Sequence, residues 1–469
     1  MLFPTLTFGI FFLIVFAAAW ALRGSNEWRK IVLLLASWVF YGWWDARFVA
    51  LLILSGVFNW AVGRMIGAAE GDKRRRKLLV ALGVAANLAI LGWFKYYGFF
   101  TEQLEASLRA LGWSRDFAIM QVILPVGISF FTFQGISYIV DVYRRHTGVA
   151  GLLDMTLLMS FFPHLVAGPI VRASHLIPQF RQVPAITRGM VAMALLLIVW
   201  GLFKKAVIAS ELATNFVDPV FFDPAAHNAL DLLLAAYGYA VQIYCDFSAY
   251  TDMAIGIAAL LGYRFPHNFN QPYRAASLQD FWRRWHISLS SWLRDYLYIP
   301  LGGSRHGRLR LYAALMATML LGGLWHGASW NFVIWGLIHG GVLAAERAWR
   351  DVRPAGWPKL PDALRIAITF HIVVLSWIFF RASTFEGALA YLGGLASGSW
   401  ETTVLTPLGL FLMCLGMALH FLPPRGTQLL ALRVRAMPAA LAGAAAGAAI
   451  LIVDAMRPEG VAPFIYYQF

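Results

Sequence analysis

Long apolar runs follow one another through this chain of 469 residues, and they leave it few ways to fold. The first covers Met1 to Leu22; others lie near 31–44, 48–67, 78–94, 119–140, 152–170, 187–208, 229–248, 311–325, 329–346, 364–381, 404–421 and 437–454. A helix needs roughly 20 apolar residues to cross a bilayer, and most of these runs approach that length. In lipid the backbone must satisfy its own hydrogen bonds, so runs of this kind fold as helices. The expectation is an all-α, polytopic transmembrane protein with about eleven to thirteen spans. Runs that are short or carry Gly and Pro are expected to be split or re-entrant, which only protein-buried sites tolerate. Composition agrees: charged residues make up 13%, against about 25% in soluble domains.

The charges are unbalanced, with 38 Lys+Arg against 24 Asp+Glu. Nucleic-acid binding is one reading of such a balance. Basic loops on the cytoplasmic side of a membrane are the better one. "RGSNEWRK" (23–30), "GDKRRRK" (71–77) and "YRRHTG" (143–148) fall on one side if the N-terminus is outside. Met1–Leu22 lacks a basic leader, and Arg23, Arg29 and Lys30 follow it, so it reads as an uncleaved first span. The segment 95–117 is too polar to span and reads as an amphipathic helix on the outer surface. Two cysteines, Cys245 and Cys414, form no disulfide framework or zinc spacing. GxGxxG, GxxxxGK, GxSxG and HExxH are all absent. No metal cluster, repeat or soluble domain is visible, so a single membrane domain, 1–469, is expected.

"FWRRWHISLSSWLRDYLYIP" (281–300) mixes aromatics, arginines and a histidine. Wound at 3.6 residues per turn it is an amphipathic helix of about five turns. Phe281, Trp282, Trp285, Leu289, Trp292, Leu293, Tyr296 and Leu297 share one face; Arg283, Arg284, Ser290, Ser291, Arg294 and Asp295 share the other. Such a helix suits the membrane interface, and Pro300 ends it. His286 falls at the edge of the apolar face, as either a structural donor or a functional group. The arginine pair anchors to headgroups or holds a phosphate-rich ligand.

"LLGGLWHGASWNFVIWGLIHGG" (320–341) sets His326 in one of the most apolar parts of the chain. Gly322, Gly323 and Gly327 flank Trp325–His326 and can mark a break between two helical pieces. A histidine at membrane depth packs, relays protons or acts as a base; burial favours its neutral, proton-accepting form. "YCDFSAYTDMAIG" (244–256) puts Asp246, Ser248 and Asp252 in an apolar run. These orient a histidine or bind a cation, or they cap a broken helix. His164, between Pro163 and Pro169, marks a bent span.

These stretches closely resemble the bacterial membrane-bound O-acyltransferases. The likeness rests on "DFSAYTDMAIG", "FWRRWHISLSSWLRDYLYIPLGG" and "GGLWHGASWNFVIWGLIHG". "SWVFYGWWDARF" (37–48), "LPVGISFFTFQGISYIVDVYR" (124–144), "FFPHLVAGPIVR" (161–172) and "PFIYYQF" (463–469) fit the same family. It covers nearly the whole chain, with its motif-bearing core at about 120–345, and points to the membrane subunits of alginate, cellulose and other exopolysaccharide acetylation. The resemblance implies a helical fold around a central funnel or tunnel. It implies a multi-pass protein of the bacterial inner membrane with acetyl-CoA as cytoplasmic donor and no metal. It also implies a periplasmic protein that receives the acetyl group, a polysaccharide synthesis complex, and no nucleic acid.

His326, in Trp-His-Gly, matches the family's essential histidine, and His286 matches its second one. Trp285, Trp325 and Asn331 lie beside them in the motifs and are expected to support the site, with Asp246, Ser248 and Asp252. Arg283 and Arg284 would hold the donor's phosphates. His326 would take a hydroxyl proton, or carry the acetyl group transiently, while His286 or a backbone amide stabilised the oxyanion. A transporter or flippase, and a structural subunit of a polysaccharide synthase, are the rival readings. The first would usually show inverted repeats; the second would tolerate loss of His326.

Overall fold

A computed structural model describes the chain apart from residues 114–119, 121, 355, 359, 398, 459–463 and 466–469. The described residues are helical, with no strand among them, and their contacts divide the chain into two compact units. The first unit comprises Met1–Ala185 and Leu261–Phe265, the second Ile186–Leu260 and Pro266–Phe469.

In the first unit the helices are α1 (Leu6–Ala21), α2 (Asn26–Gly42), α3 (Arg47–Ala68), α4 (Lys73–Leu91), α5 (Tyr97–Ala110), α6 (Ile128–Tyr143), α7 (Leu152–Ser160), α8 (Phe162–Leu165) and α9 (Ala173–Phe180). Apolar side chains alone do not choose partners in lipid; polar pairs and small residues do. Asn59 of α3 and Asn87 of α4 exchange amide hydrogen bonds at 3.3 and 3.0 Å. Lys30 of α2 meets Asp154 of α7 at 2.8 Å, both buried. Arg29 donates to the Tyr263 hydroxyl at 3.0 Å and to the Leu261 carbonyl. Two charges of the 23–30 loop are therefore internal ties of α2, and only part of that loop's charge remains a topology signal. His164 sits where α7 breaks into α8 and hydrogen-bonds the Leu158 carbonyl at 3.0 Å, the bent segment its prolines predict.

In the second unit the helices are α10 (Arg188–Leu202), α11 (Ser210–Leu212), α12 (Asp218–Phe222), α13 (Ala229–Leu260), α14 (Leu278–Trp282), α15 (Ile287–Leu293), α16 (Arg308–His326), α17 (Trp330–Val352), α18 (Asp362–Arg381), α19 (Phe385–Ser397), α20 (Pro407–Phe421), α21 (Pro424–Ala436) and α22 (Ala439–Met456). A π-helical stretch, Phe203–Ala209, continues α10 toward α11. The pair α16–α17 is an antiparallel hairpin with close backbones. A Cβ at Gly323 would meet the Phe332 carbonyl, and one at Gly327 would meet the Phe332 ring.

Among the described residues five helices are long and apolar enough to cross a membrane: Arg47–Ala68, Lys73–Ala110, Arg188–Phe222, Asp362–Arg381 and Ala439–Met456. A sixth is counted if the pair Pro407–Phe421 and Arg425–Ala436, bent by 84°, is one span. The all-α polytopic class stands, while fewer helices meet the spanning criteria than the sequence has apolar runs. The reasons are local. The run 152–170 breaks at Phe161, and α13 carries three aspartates along 32 residues. The 95–117 segment is corrected: to Ala110 it prolongs α4 through a π-helical turn into one 38-residue helix, and 114–117 lie outside the described residues.

Candidate active site

The predicted five-turn helix over 281–297 is two short helices. Ser277 caps α14 by accepting the Asp280 amide at 3.1 Å, and Glu346 of α17 accepts the Leu278 and Gln279 amides at 2.6 and 3.2 Å. The chain then turns, and His286 adopts φ 43°, ψ 56°, in the left-handed region. For a residue other than glycine this costs on the order of 1 kcal/mol and persists only where the surroundings fix it. Here Asn268 fixes it. Its carbonyl accepts the Ile287 amide at 2.9 Å, and its side-chain Oδ1 accepts the Ser288 amide at 3.0 Å and the Ser288 hydroxyl at 2.9 Å. Periodicity read the stretch as one helix because nothing in the local pattern announces a turn held by residue 268. After α15 the helix widens into a π-helical turn, Arg294–Tyr298.

The same contacts settle the His286 tautomer. Because Asn268 Oδ1 accepts from a backbone N–H, the His286 Nδ1 that lies 3.3 Å from it is a donor. The neutral ring therefore presents Nε2 as a lone pair, and that atom is buried with no hydrogen-bond partner among the described residues. With the proton on Nδ1 the ring offers an acceptor at Nε2, and the backbone amide expected as the alternative is then the donor for an oxyanion. Phe247 meets the ring edge-on at 4.7 Å, and Trp325 lies 6.1 Å away.

His326 is the last residue of α16, directly before the extended Gly327, so the glycine-flanked break predicted at Trp-His-Gly is real. Its ring is 3% exposed and sits among Trp325 and Trp335 (5.1 Å each), Phe380 (5.1 Å) and Phe332 (6.4 Å). Trp325 thus stands between the two predicted histidines. His339, of α17, joins the cluster: its ring is 4.4 Å from Trp335 and its Nε2 hydrogen-bonds Ser376 Oγ at 2.9 Å. The signal that could have found it is the Trp335–His339 spacing of one helical turn. Asn331 donates to the Ala382 carbonyl at 2.7 Å and so ties the start of α17 to the end of α18. Trp285 stacks on Phe281 at 5.6 Å and packs on Trp377 at 5.1 Å.

Asp246, Ser248 and Asp252 lie inside the unbroken α13, so none caps a helix end. Each meets a lysine of the π-helical stretch: Lys205 to Asp246 at 2.9 Å, and Lys204 to Ser248 at 2.6 Å and to Asp252 at 2.7 Å. The cation they hold is the chain's own. Of the arginines, Arg283 is exposed, while Arg284 pairs with Asp280 at 3.0 Å and bonds the Asn270 carbonyl at 3.4 Å. No group of three or more His, Cys, Asp or Glu that could hold a metal occurs among the described residues. Two buried imidazoles on one aromatic cluster are suited to proton transfer.

Comparison with known proteins agrees in class. The profile of the MBOAT, membrane-bound O-acyltransferase family matches residues 139–385. The chain is 42% identical to the probable alginate O-acetylase AlgI of Pseudomonas aeruginosa, over 86% of this chain and 77% of that protein. It is 39% identical to the peptidoglycan O-acetyltransferase of Helicobacter pylori, over 78% of this chain and 73% of the relative. It is 29% identical to the teichoic acid D-alanyltransferase of Bacillus subtilis, over 56% and 69%. With its helical membrane architecture, its motif histidines in one aromatic cluster and these likenesses, the chain belongs to the membrane-bound O-acyltransferase family.

Proposed function

We propose that this acyltransferase is an O-acetyltransferase of a bacterial inner membrane, acting as one domain over 1–469. It takes acetyl groups from acetyl-CoA at the cytoplasmic face and passes them, through a periplasmic protein, to hydroxyls of an exopolysaccharide such as alginate or cellulose. The N-terminus faces the periplasm in this reading, and a passage through the membrane lets the thioester reach the histidines. The observation that carries the proposal is the pair of buried imidazoles, His326 and His286, on either side of Trp325.

In the step proposed, a hydroxyl oxygen attacks the thioester carbonyl carbon while His326 takes the hydroxyl proton. The carbon–sulfur bond then breaks, and the departing thiolate receives that proton. The His286 lone pair is a second acceptor that this proton can reach on its way to the thiolate, and a backbone amide serves the oxyanion. Arg283, exposed at the turn before His286, is the remaining candidate for the donor's phosphates.

Vesicles containing the purified chain, with labelled acetyl-CoA on one side and an acceptor protein or oligosaccharide on the other, test the whole reading. Label on the acceptor with free CoA left on the donor side supports it. Intact acetyl-CoA crossing, or no transfer with any acceptor, overturns it.

A further inference from the structure

Asp246 and Lys205 are among the most deeply buried charges of the second unit, 3% and 1% exposed. Removing two charges from water costs several kcal/mol each, and replacing such a pair with apolar residues is often neutral. A pair kept in this setting invites the question of what else it holds. The carboxylate has a second partner: Asp246 Oδ2 accepts the backbone N–H of Ile465 at 3.0 Å, from a residue 219 positions away in the chain. Ile465 and its neighbour Phe464 are both buried. Phe464 lies against Tyr250 at 4.2 Å and Phe247 at 5.9 Å. Asp246 and Tyr250 are one turn apart on α13, so the two residues dock along one helix face. The next contact beyond Phe247 is His286, edge-on at 4.7 Å.

We propose that Phe464 and Ile465 are a positioning strap for His286, latched by the Asp246–Lys205 pair and acting through the Phe247 ring. The proposal rests on the reading that His286 serves the transfer. Asn268 holds one edge of the imidazole, and Phe247 supports its flank. With the strap docked, Phe247 cannot retreat, and Nε2 keeps one direction. With the strap released, the ring gains freedom and water reaches it. Neither strap residue touches the reacting atoms, so the effect falls on turnover rather than on donor binding.

The test uses the full chain in vesicles, with labelled acetyl-CoA as donor. Phe464→Ala and the charge-free pair Lys205→Met/Asp246→Leu are expected to lower kcat by about ten- to a hundredfold with KM for the donor unchanged. Lys205→Met/Asp246→Asn keeps an oxygen for the Ile465 amide and recovers most of that loss, as Phe464→Leu does in part. The second readout needs no catalysis: carbethoxylation of each histidine, followed by peptide mass spectrometry. Phe464→Ala is expected to raise the modification rate of His286 by at least about tenfold, with that of His164 unchanged. Slow labelling of His286 in both Phe464→Ala and Lys205→Met/Asp246→Leu overturns the strap, as does a loss of kcat that Asp246→Asn in the charge-free pair does not recover. If His286→Ala transfers normally, the reading of His286 fails, while the labelling still decides the strap.

Discussion

Asn268 is the residue on which the site's geometry turns. One side-chain oxygen fixes the backbone after His286, and with it the tautomer of the imidazole. Asn268→Ala leaves the buried Ser288 amide and His286 Nδ1 without an acceptor, at about 1–3 kcal/mol for each buried unmet donor. The expected outcome is a lower midpoint of thermal unfolding and a kcat reduced by about ten- to a hundredfold, measured on the detergent-purified chain. Asn268→Asp retains the acceptor and should keep more turnover than Asn268→Ala; equal activity of the two would remove the tautomer argument. The importance of His326 and His286 was legible because a histidine in an apolar run is conspicuous. Asn268 was not: it is a polar residue in a polar loop, and only its distance of 18 residues from His286, closed by the fold, gives it meaning.

At the scale of helices, the hairpin α16–α17 places His326. Its approach depends on Gly323 and Gly327, which face the Phe332 carbonyl and ring. Gly323→Ala forces backbone apart and should destabilise the chain by roughly 1–3 kcal/mol, as overpacking does, with transfer activity falling at the same time. Gly341→Ala, where nothing lies within 4 Å, is the matched control and should be neutral or slightly stabilising. Thermal unfolding of both variants checks this. The glycines and the break at Gly327 were readable in the sequence. The stretch over 281–297 was misread, because helical periodicity also survives across a turn when both short helices face the same apolar surroundings. The partners of the α13 acids were not legible for a related reason: they are lysines 41 to 48 positions earlier, beyond the reach of any local pattern.

At the scale of the whole molecule, apolar runs announced a helical membrane protein, and each of them corresponds to one helix or a broken pair. They said which runs bend only where prolines mark the break, as Pro163 and Pro169 do after Phe161. Within the first unit, the buried Lys30–Asp154 pair ties α2 to α7. Lys30→Met leaves the buried Asp154 carboxylate only its longer contact to Arg181, at 3.4 Å, and should cost up to about 3–5 kcal/mol, which Lys30→Met/Asp154→Leu largely restores; unfolding midpoints of the two variants decide it. The proposed transfer is read at this scale too, because His286 and His326 both reach Trp325 only through the fold of the second unit. Its most direct test is the single-turnover rate of labelled acetyl transfer from acetyl-CoA by equal amounts of folded wild-type and His326→Ala protein. A rate about 10²–10⁴-fold lower in the variant, with donor binding retained, is the predicted result; transfer at the wild-type rate would contradict the role assigned to His326.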